Sequence, residues 1–323
     1  MNMSDISRLL QQFPREKVSL LPTPFHRLDR LSEMTGCELW IKRDDLTGFG
    51  LSGNKTRKFD FLIADAMKQG CDTLIGIGAN QSNFCRILSA VGTRFGLDVH
   101  LILSGEKPDK PTGNLLIDNL LEATIYHVPR TERDKKANMV YEELTSKGRR
   151  VYFMPPGGST PVGSLGYTAG FDEILKDIKQ SGINFRHIIH ASSSAGTQAG
   201  LVLGQAITGW DGRITGISVD VPEKELSKNV YQLASEAGAM MGVSVNPDLV
   251  HIDGKYIGEG YGIPTKACLA SIKSFAFNEG IFLDNVYTGK GASGLLDYCD
   301  KKIITPEEPA IFIHTGGFIQ LFE

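Results

Sequence analysis

Short apolar, β-branched runs alternate along this chain with longer stretches of helical period. The runs fall at 39–42, 74–77, 99–103, 125–128, 151–154, 187–190, 214–219 and 310–313. Residues apolar on both faces of a strand suit the inside of a parallel sheet, and the segments between the runs are long enough to be crossover helices. The repeated strand–helix order predicts an α/β fold. A glycine- and proline-rich stretch at 155–163 separates two sets of these units and predicts a return between two domains.

The 323 residues, 41% hydrophobic and 22% charged, suffice for one large core or two smaller ones. A net charge of -3 gives no general attraction to nucleic acid or to an anionic membrane, so neither is expected as a partner. Asp5, Arg8, Gln11, Gln12, Arg15 and Glu16 interrupt the apolar residues of the first twenty, which leaves no signal-like or membrane-spanning run and predicts a cytoplasmic protein. The five cysteines are widely spaced without a C-x-x-C pair, and the histidines lack an H-x-x-x-H pair. Neither a disulfide framework nor a metal site is expected.

Three turns can carry chemistry. The segment 44–58 follows the run at 39–42 and places Lys55 on the first turn of a helix, where the helix dipole and the neighbouring Arg57 and Lys58 disfavour its protonated form. An uncharged amine attacks aldehydes, although a solvated basic helix start fits the same pattern. Asn54 stands where a Walker A loop requires glycine. The segment 191–200, with Ser194, Ala195, Gly196 and Thr197, offers close backbone N–H groups, hydroxyls and a helix N-terminus. It suits a phosphate, or equally a small capped turn.

The third turn, at 76–86, superficially resembles a dinucleotide fingerprint. Gln81 replaces the third glycine, however, and Asp98 precedes the next strand instead of ending it, which disfavours a Rossmann-like oxidoreductase. Gln81, Ser82 and Asn83 at its helix start can instead bind a substrate carboxylate, or simply cap the helix. Glycine-bordered loops at 258–262, 285–291 and 314–317 present Tyr261, Tyr287, Thr288 and Thr315. Tyrosines in such loops can handle protons, although partial burial with a satisfied hydroxyl explains either one alone.

In this order, the lysine in Gly53-Asn54-Lys55-Thr56-Arg57-Lys58, the Gln81-Ser82-Asn83 turn, the loop at 194–200, Tyr261 and Tyr287-Thr288-Gly289-Lys290 resemble the D-cysteine desulfhydrase and 1-aminocyclopropane-1-carboxylate deaminase family. The resemblance runs from 21–24 to 314–317. It implies a tryptophan-synthase-β-like fold (fold type II) of two doubly wound parallel-sheet domains and a homodimer. The large domain would hold residues 1–58 and 161–323, and a small inserted domain 59–160. It further implies pyridoxal 5'-phosphate as a Schiff base on Lys55, with Asn83 at its phenolic oxygen and Ser194, Ala195, Gly196 and Thr197 around its phosphate. Ser82 would lie beside the α-carbon of a small amino-acid substrate, Tyr261 and Tyr287 would face that substrate, and Thr288 would approach the pyridine nitrogen.

The implied reaction is α,β-elimination, with Lys55 or Ser82 removing the α-proton. A neutral Thr288 cannot enforce a protonated pyridine as a carboxylate would, which favours D-cysteine desulfhydrase chemistry over cyclopropane opening. Phe84 and Glu259 depart from the histidine and proline common at these positions in desulfhydrase-like sequences. L-Cysteate, β-chloroalanine, serine, diaminopropionate and the cyclopropane substrate therefore stay open, as does a cofactor-binding protein without turnover. An apolar Phe84 near the leaving group ranks thiolate or chloride ahead of sulfite unless a cationic group compensates.

Overall fold

In the computed structural model, which describes residues 4–322, the apolar runs pair into strands and the periodic stretches between them wind into helices. The strands are β1 (Phe25–Arg27), β2 (Leu39–Lys42), β3 (Thr73–Ala79), β4 (Asp98–Ser104), β5 (Thr124–Val128), β6 (Val151–Met154), β7 (His187–Ser192), β8 (Arg213–Ser218), β9 (His251–Asp253) and β10 (Ala310–Ile313). The helices are α1 (Asp5–Leu10), α2 (Asp29–Thr35), α3 (Lys55–Lys68), α4 (Asn83–Phe95), α5 (Gly113–Leu120), α6 (Arg133–Ser146), α7 (Pro161–Ser181), α8 (Gly196–Thr208), α9 (Glu223–Ala239), α10 (Lys266–Glu279) and α11 (Thr288–Asp300).

The strands form two sheets, ordered β1-β2-β10-β7-β8-β9 and β5-β4-β3-β6. The second is parallel throughout, whereas the first carries β1 antiparallel to β2 at one edge. Sequence periodicity does not register β1 or β9, because each is a three-residue edge strand too short to show a period. Every residue of β7 and β10 is buried. Their side chains alternate between two cores: Ile188, Ile311 and Ile313 pack with α7, α8 and α9, while Ile189, Ala310 and Phe312 pack with α10 and α11. In the smaller sheet Leu74, Leu101 and Leu103 pack towards α3 and α4, and Ile75, Ile77 and Ile102 towards α6.

Helix α3 touches the cores of both sheets. Phe61 enters the core shared with α7 and α8, while Phe59, Leu62, Ile63 and Ala66 enter the core of the smaller sheet. Helix α7 lies almost on the backbone of α3, since a Cβ on Gly166 would stand 2.3 Å from the Arg57 carbonyl oxygen. The first turn of α3 is pinned from behind by charge. Arg57 Nε and Nη2 donate to the two Asp44 oxygens at 2.8 and 2.7 Å, and Nη1 and Nη2 donate to Glu173 at 3.1 and 2.9 Å. Tyr167 donates to Asp44 at 2.6 Å, and Lys42 reaches Glu173 at 2.7 Å and Asp177 at 2.6 Å.

Burial alone would raise the pKa of Glu173, but Arg57 and Lys42 outweigh it and hold the carboxyl down at about 2. A depressed carboxyl contributes stability that is present above its unfolded pKa and lost as the pH falls through the folded value. Arg57→Met strands Asp44 and Glu173 in the interior and raises the Glu173 pKa. It is expected to cost about 3–5 kcal/mol in urea unfolding at neutral pH and to move acid unfolding to higher pH. A loss under about 1 kcal/mol would show that the network does not anchor α3.

Candidate active site

The carboxyl ends of the strands in both sheets open onto one cavity, in the place where ligands collect in α/β proteins. Its wall takes Ser82 and Asn83 from beyond β3, Ser104 from β4, Arg130 and Arg133 from beyond β5, and Gly157 from beyond β6. The larger sheet contributes Ser192 to Ala195, Asp220 and the Thr315–Gly316 turn. Asn54, Lys55, Thr197, Tyr261 and Tyr287 complete the polar lining.

Lys55 opens α3, and its Nζ donates to Asn54 Oδ1 at 3.1 Å. Its pKa falls to about 8, first through burial; the Arg86 charge lowers it further, while Asp284 opposes. The sequence pattern attributes this shift to the helix dipole together with Arg57 and Lys58. In the fold Arg57 is turned to Asp44 and Glu173, so Arg86 from α4 acts instead. The resulting amine is substantially unprotonated in mildly alkaline solution.

Ala195 has φ +67°, a strained conformation for a non-glycine residue, and turns the chain sharply before α8. The first helical bond of α8 runs from the Ala199 N–H to the Ala195 carbonyl, so the Thr197 and Gln198 N–H groups lack intrahelical partners. Behind the turn, Lys58 Nζ donates to Gly157 O at 3.0 Å and Ser159 Oγ at 3.2 Å, and Ser159 donates to Ser194 Oγ at 2.9 Å. A Cβ on Gly196 would lie 2.7 Å from Lys58 Nζ, so a larger residue there would displace the lysine's ammonium end. Burial pushes the Lys58 pKa well down, and the Lys55 charge adds to that. Free helix N–H groups, hydroxyls and a buried amine fit a phosphate dianion.

Ser82 caps α4 by accepting from the Cys85 N–H at 3.2 Å, which leaves its own hydroxyl proton for the cavity. The Gln81 side chain turns away from the cavity: its Oε1 accepts from the Asn114 N–H at 2.8 Å and its Nε2 donates to Thr112 O at 3.2 Å. Phe84 lines the cavity but stacks on Phe59 at 5.6 Å, while Glu259 is exposed and lies off the wall.

The Tyr261 and Tyr287 hydroxyls lie 2.6 Å apart. Burial is the first cause that raises both pKa values, Tyr261 to about 12 and Tyr287 well above the ordinary tyrosine value, so both phenols stay protonated. Lys290, fully buried, donates to Val219 O at 3.1 Å, Ile257 O at 2.7 Å and Gly260 O at 2.8 Å, tying the Tyr261 loop to the end of β8.

Thr288 is fully buried and is not on the cavity wall, and Gly196 likewise stands behind it. The Thr288 hydroxyl donates to Asp284 Oδ2 and accepts from the Asp284 N–H. Asp284 also accepts from the N–H groups of Val286, Tyr287 and Thr288, capping α11. A carboxylate therefore stands directly behind Thr288, so the contrast drawn in sequence between a neutral hydroxyl and a carboxylate does not separate the two chemistries here.

Sequence reading gave no role to Arg130, Arg133 or Asp220. Arg130 and Asp220 each stand two residues past a strand, where ligands collect, and that position is the signal that would have found them. Burial raises the Asp220 carboxyl, against a lowering hydrogen bond from Ser193.

The sequence profile of the family described as pyridoxal-phosphate dependent enzyme matches residues 18–316. The chain is 39% identical over 322 residues to a Pyrococcus abyssi protein named "Putative 1-aminocyclopropane-1-carboxylate deaminase", spanning 98% of this chain and 96% of the relative. It is 36% identical over 321 residues to the D-cysteine desulfhydrase of Salmonella paratyphi B, spanning 97% of each. A solved structure described as an ACC deaminase homologue matches with a TM-score of 0.90 at 36% identity, over 99% of this chain and 96% of that one.

The depressed Lys55 pKa has a direct readout. Capture of pyridoxal phosphate by the cofactor-stripped enzyme is expected to rise with pH about a midpoint near 8, where the amine loses its proton. A midpoint at the ordinary lysine value of 10.5 would show that burial does not act on this amine.

Proposed function

Because the chain belongs to the pyridoxal-phosphate-dependent enzyme family, and within it to the elimination and deamination enzymes of the D-cysteine desulfhydrase and ACC deaminase type, we propose that it converts D-cysteine and water to pyruvate, ammonia and hydrogen sulfide. Lys55 would hold the cofactor aldehyde, the turn from Ser194 to Thr197 its phosphate, and Asn83 its phenolic oxygen. When bound, the cofactor supplies an electron sink for the α-carbon of an amino acid. Lys55, an amine with a pKa near 8, or the Ser82 hydroxyl takes the α-proton.

The observation that carries the choice of reaction is the phenol pair. Two tyrosines held protonated can donate to a departing thiolate, whereas opening a cyclopropane expels no heteroatom leaving group and calls for a base or nucleophile that neither protonated phenol supplies. Preference for the D enantiomer rests on the family resemblance and the named relative alone.

A second reading follows from Arg130 and Arg133. They supply on the cavity wall the cationic groups that a sulfonate leaving group needs, and so place L-cysteate beside D-cysteine among the substrates to test. We also take residues 1–58 and 161–323 as the large domain and 59–160 as the small one, working as a cytoplasmic homodimer. Exposed Leu269, Phe277 and Phe282 offer an apolar surface for such pairing, and among the described residues no helix is long and apolar enough to cross a membrane.

Borohydride reduction and peptide mapping should place the pyridoxyl group on Lys55. Keto-acid release should be fastest from D-cysteine or β-chloro-D-alanine when these are compared with L-cysteine, L-cysteate and 1-aminocyclopropane-1-carboxylate. Tyr287→Phe should lower kcat on D-cysteine about 10²-fold while leaving the Lys55 adduct in place. Efficient ring opening without β-elimination would overturn the reading, and preference for L-cysteate would replace it with the second one.

A further inference from the structure

Behind Asn83 runs a chain of buried amides that ends on a guanidinium. Arg86 Nε donates to Asn114 Oδ1 at 2.7 Å, and Asn114 Nδ2 donates to Asn83 Oδ1 at 2.9 Å and to Gln81 O at 2.9 Å. Arg86 is 1% exposed and Asn114 is fully buried. Arg86 is itself held by a bond from Nη2 to Ser52 O at 3.2 Å, and its buried Nη1 has no hydrogen-bond partner among the described residues.

A side-chain amide can present either of its ends, and its neighbours decide which. A guanidinium has no such freedom, because it only donates. With Arg86 at one end, Asn114 must turn its oxygen to Arg86 and its NH2 to Asn83. Asn83 must then turn its oxygen to Asn114, which leaves its NH2 on the cavity side. There Asn83 Nδ2 lies beside the turn after β10, 3.2 Å from where a Cβ on Gly317 would stand.

We infer that Arg86 and Asn114 are positioning residues that orient the Asn83 amide so that its NH2, not its oxygen, meets the phenolic oxygen of the bound cofactor. The inference rests on the reading of Lys55 and Asn83 given above. A donor at that oxygen stabilises its anionic form and keeps the proton off it; an acceptor there would do the reverse. Arg86 thereby acts on two groups of the site, through the amides on Asn83 and through its charge on Lys55.

The test is spectroscopic and uses the holoenzyme. Asn114→Asp keeps the bond to Arg86 but removes the NH2, so Asn83 must turn its own NH2 back towards residue 114 and present oxygen to the cofactor. The expected result is a shift of about tenfold, the size of one charge-assisted hydrogen bond, from the visible to the near-ultraviolet cofactor band at fixed pH. Arg86→Lys, still donor-only, should keep a ratio close to wild type, whereas Arg86→Gln, an amide free to flip, should shift it. This pair carries the same contrast should N114D fail to fold. A Lys55 adduct in every variant with an unchanged band ratio would overturn the relay and leave the proposed function standing. No Lys55 adduct in the wild-type protein would overturn both.

Discussion

The two bidentate bonds from Arg57 to Asp44 and Glu173 fix which way α3 faces. Successive helical residues are about 100° apart around the axis, so positions 55 and 57 point about 200° apart. Holding Arg57 in the interior against β2 and α7 therefore turns Lys55 towards the strand ends, and sequence adjacency becomes opposite function. A buried ion pair is weak evidence for stability as such, but it is well suited to specifying rotation, because no other register of the helix satisfies four carboxylate oxygens at once.

The site is built by polar groups holding other polar groups. Asp284 caps α11 and occupies Thr288, Lys290 gathers three carbonyls beneath the Tyr261 loop, and Lys58 props Ser194 through Ser159. Each of these buried charges has its capacity largely used by fixed partners, so the atoms left for a ligand are few and defined. The same arrangement tunes Lys55. Burial lowers its pKa first, the Arg86 charge from a neighbouring helix adds to the fall, and Asp284 opposes it.

What could be read from the residues follows from how each is constrained. The strands at 39–42 and 310–313 match their runs because nearly every position there faces a core, and 151–154 matches although Phe153 is exposed. β1 and β9 stayed hidden because three residues at a sheet edge carry no pattern. Lys55, Ser82, Asn83, Ser194, Ala195, Thr197, Tyr261 and Tyr287 were legible as candidates because glycines and helix starts flank them, and all of them line the cavity. Side-chain direction was not legible. Gln81 and Thr288 sit in the same turns, yet one bonds to Thr112 and Asn114 and the other to Asp284, partners 31 to 33 residues and 4 residues away in the chain. A long-range partner such as Asn114 leaves no local mark, since nothing nearby in the sequence records what the fold brings opposite it.

The contact between Tyr261 and Tyr287 limits the site by simple counting. Two hydroxyls joined oxygen to oxygen at 2.6 Å use one proton between them, so only one remains to point outward. Whichever ring donates inward, the other holds the outward proton, and reversing the bond moves that proton from one ring to the other without any change of charge. The pair is therefore a single acid with two exits, and the position of a departing group decides through which of them the proton leaves.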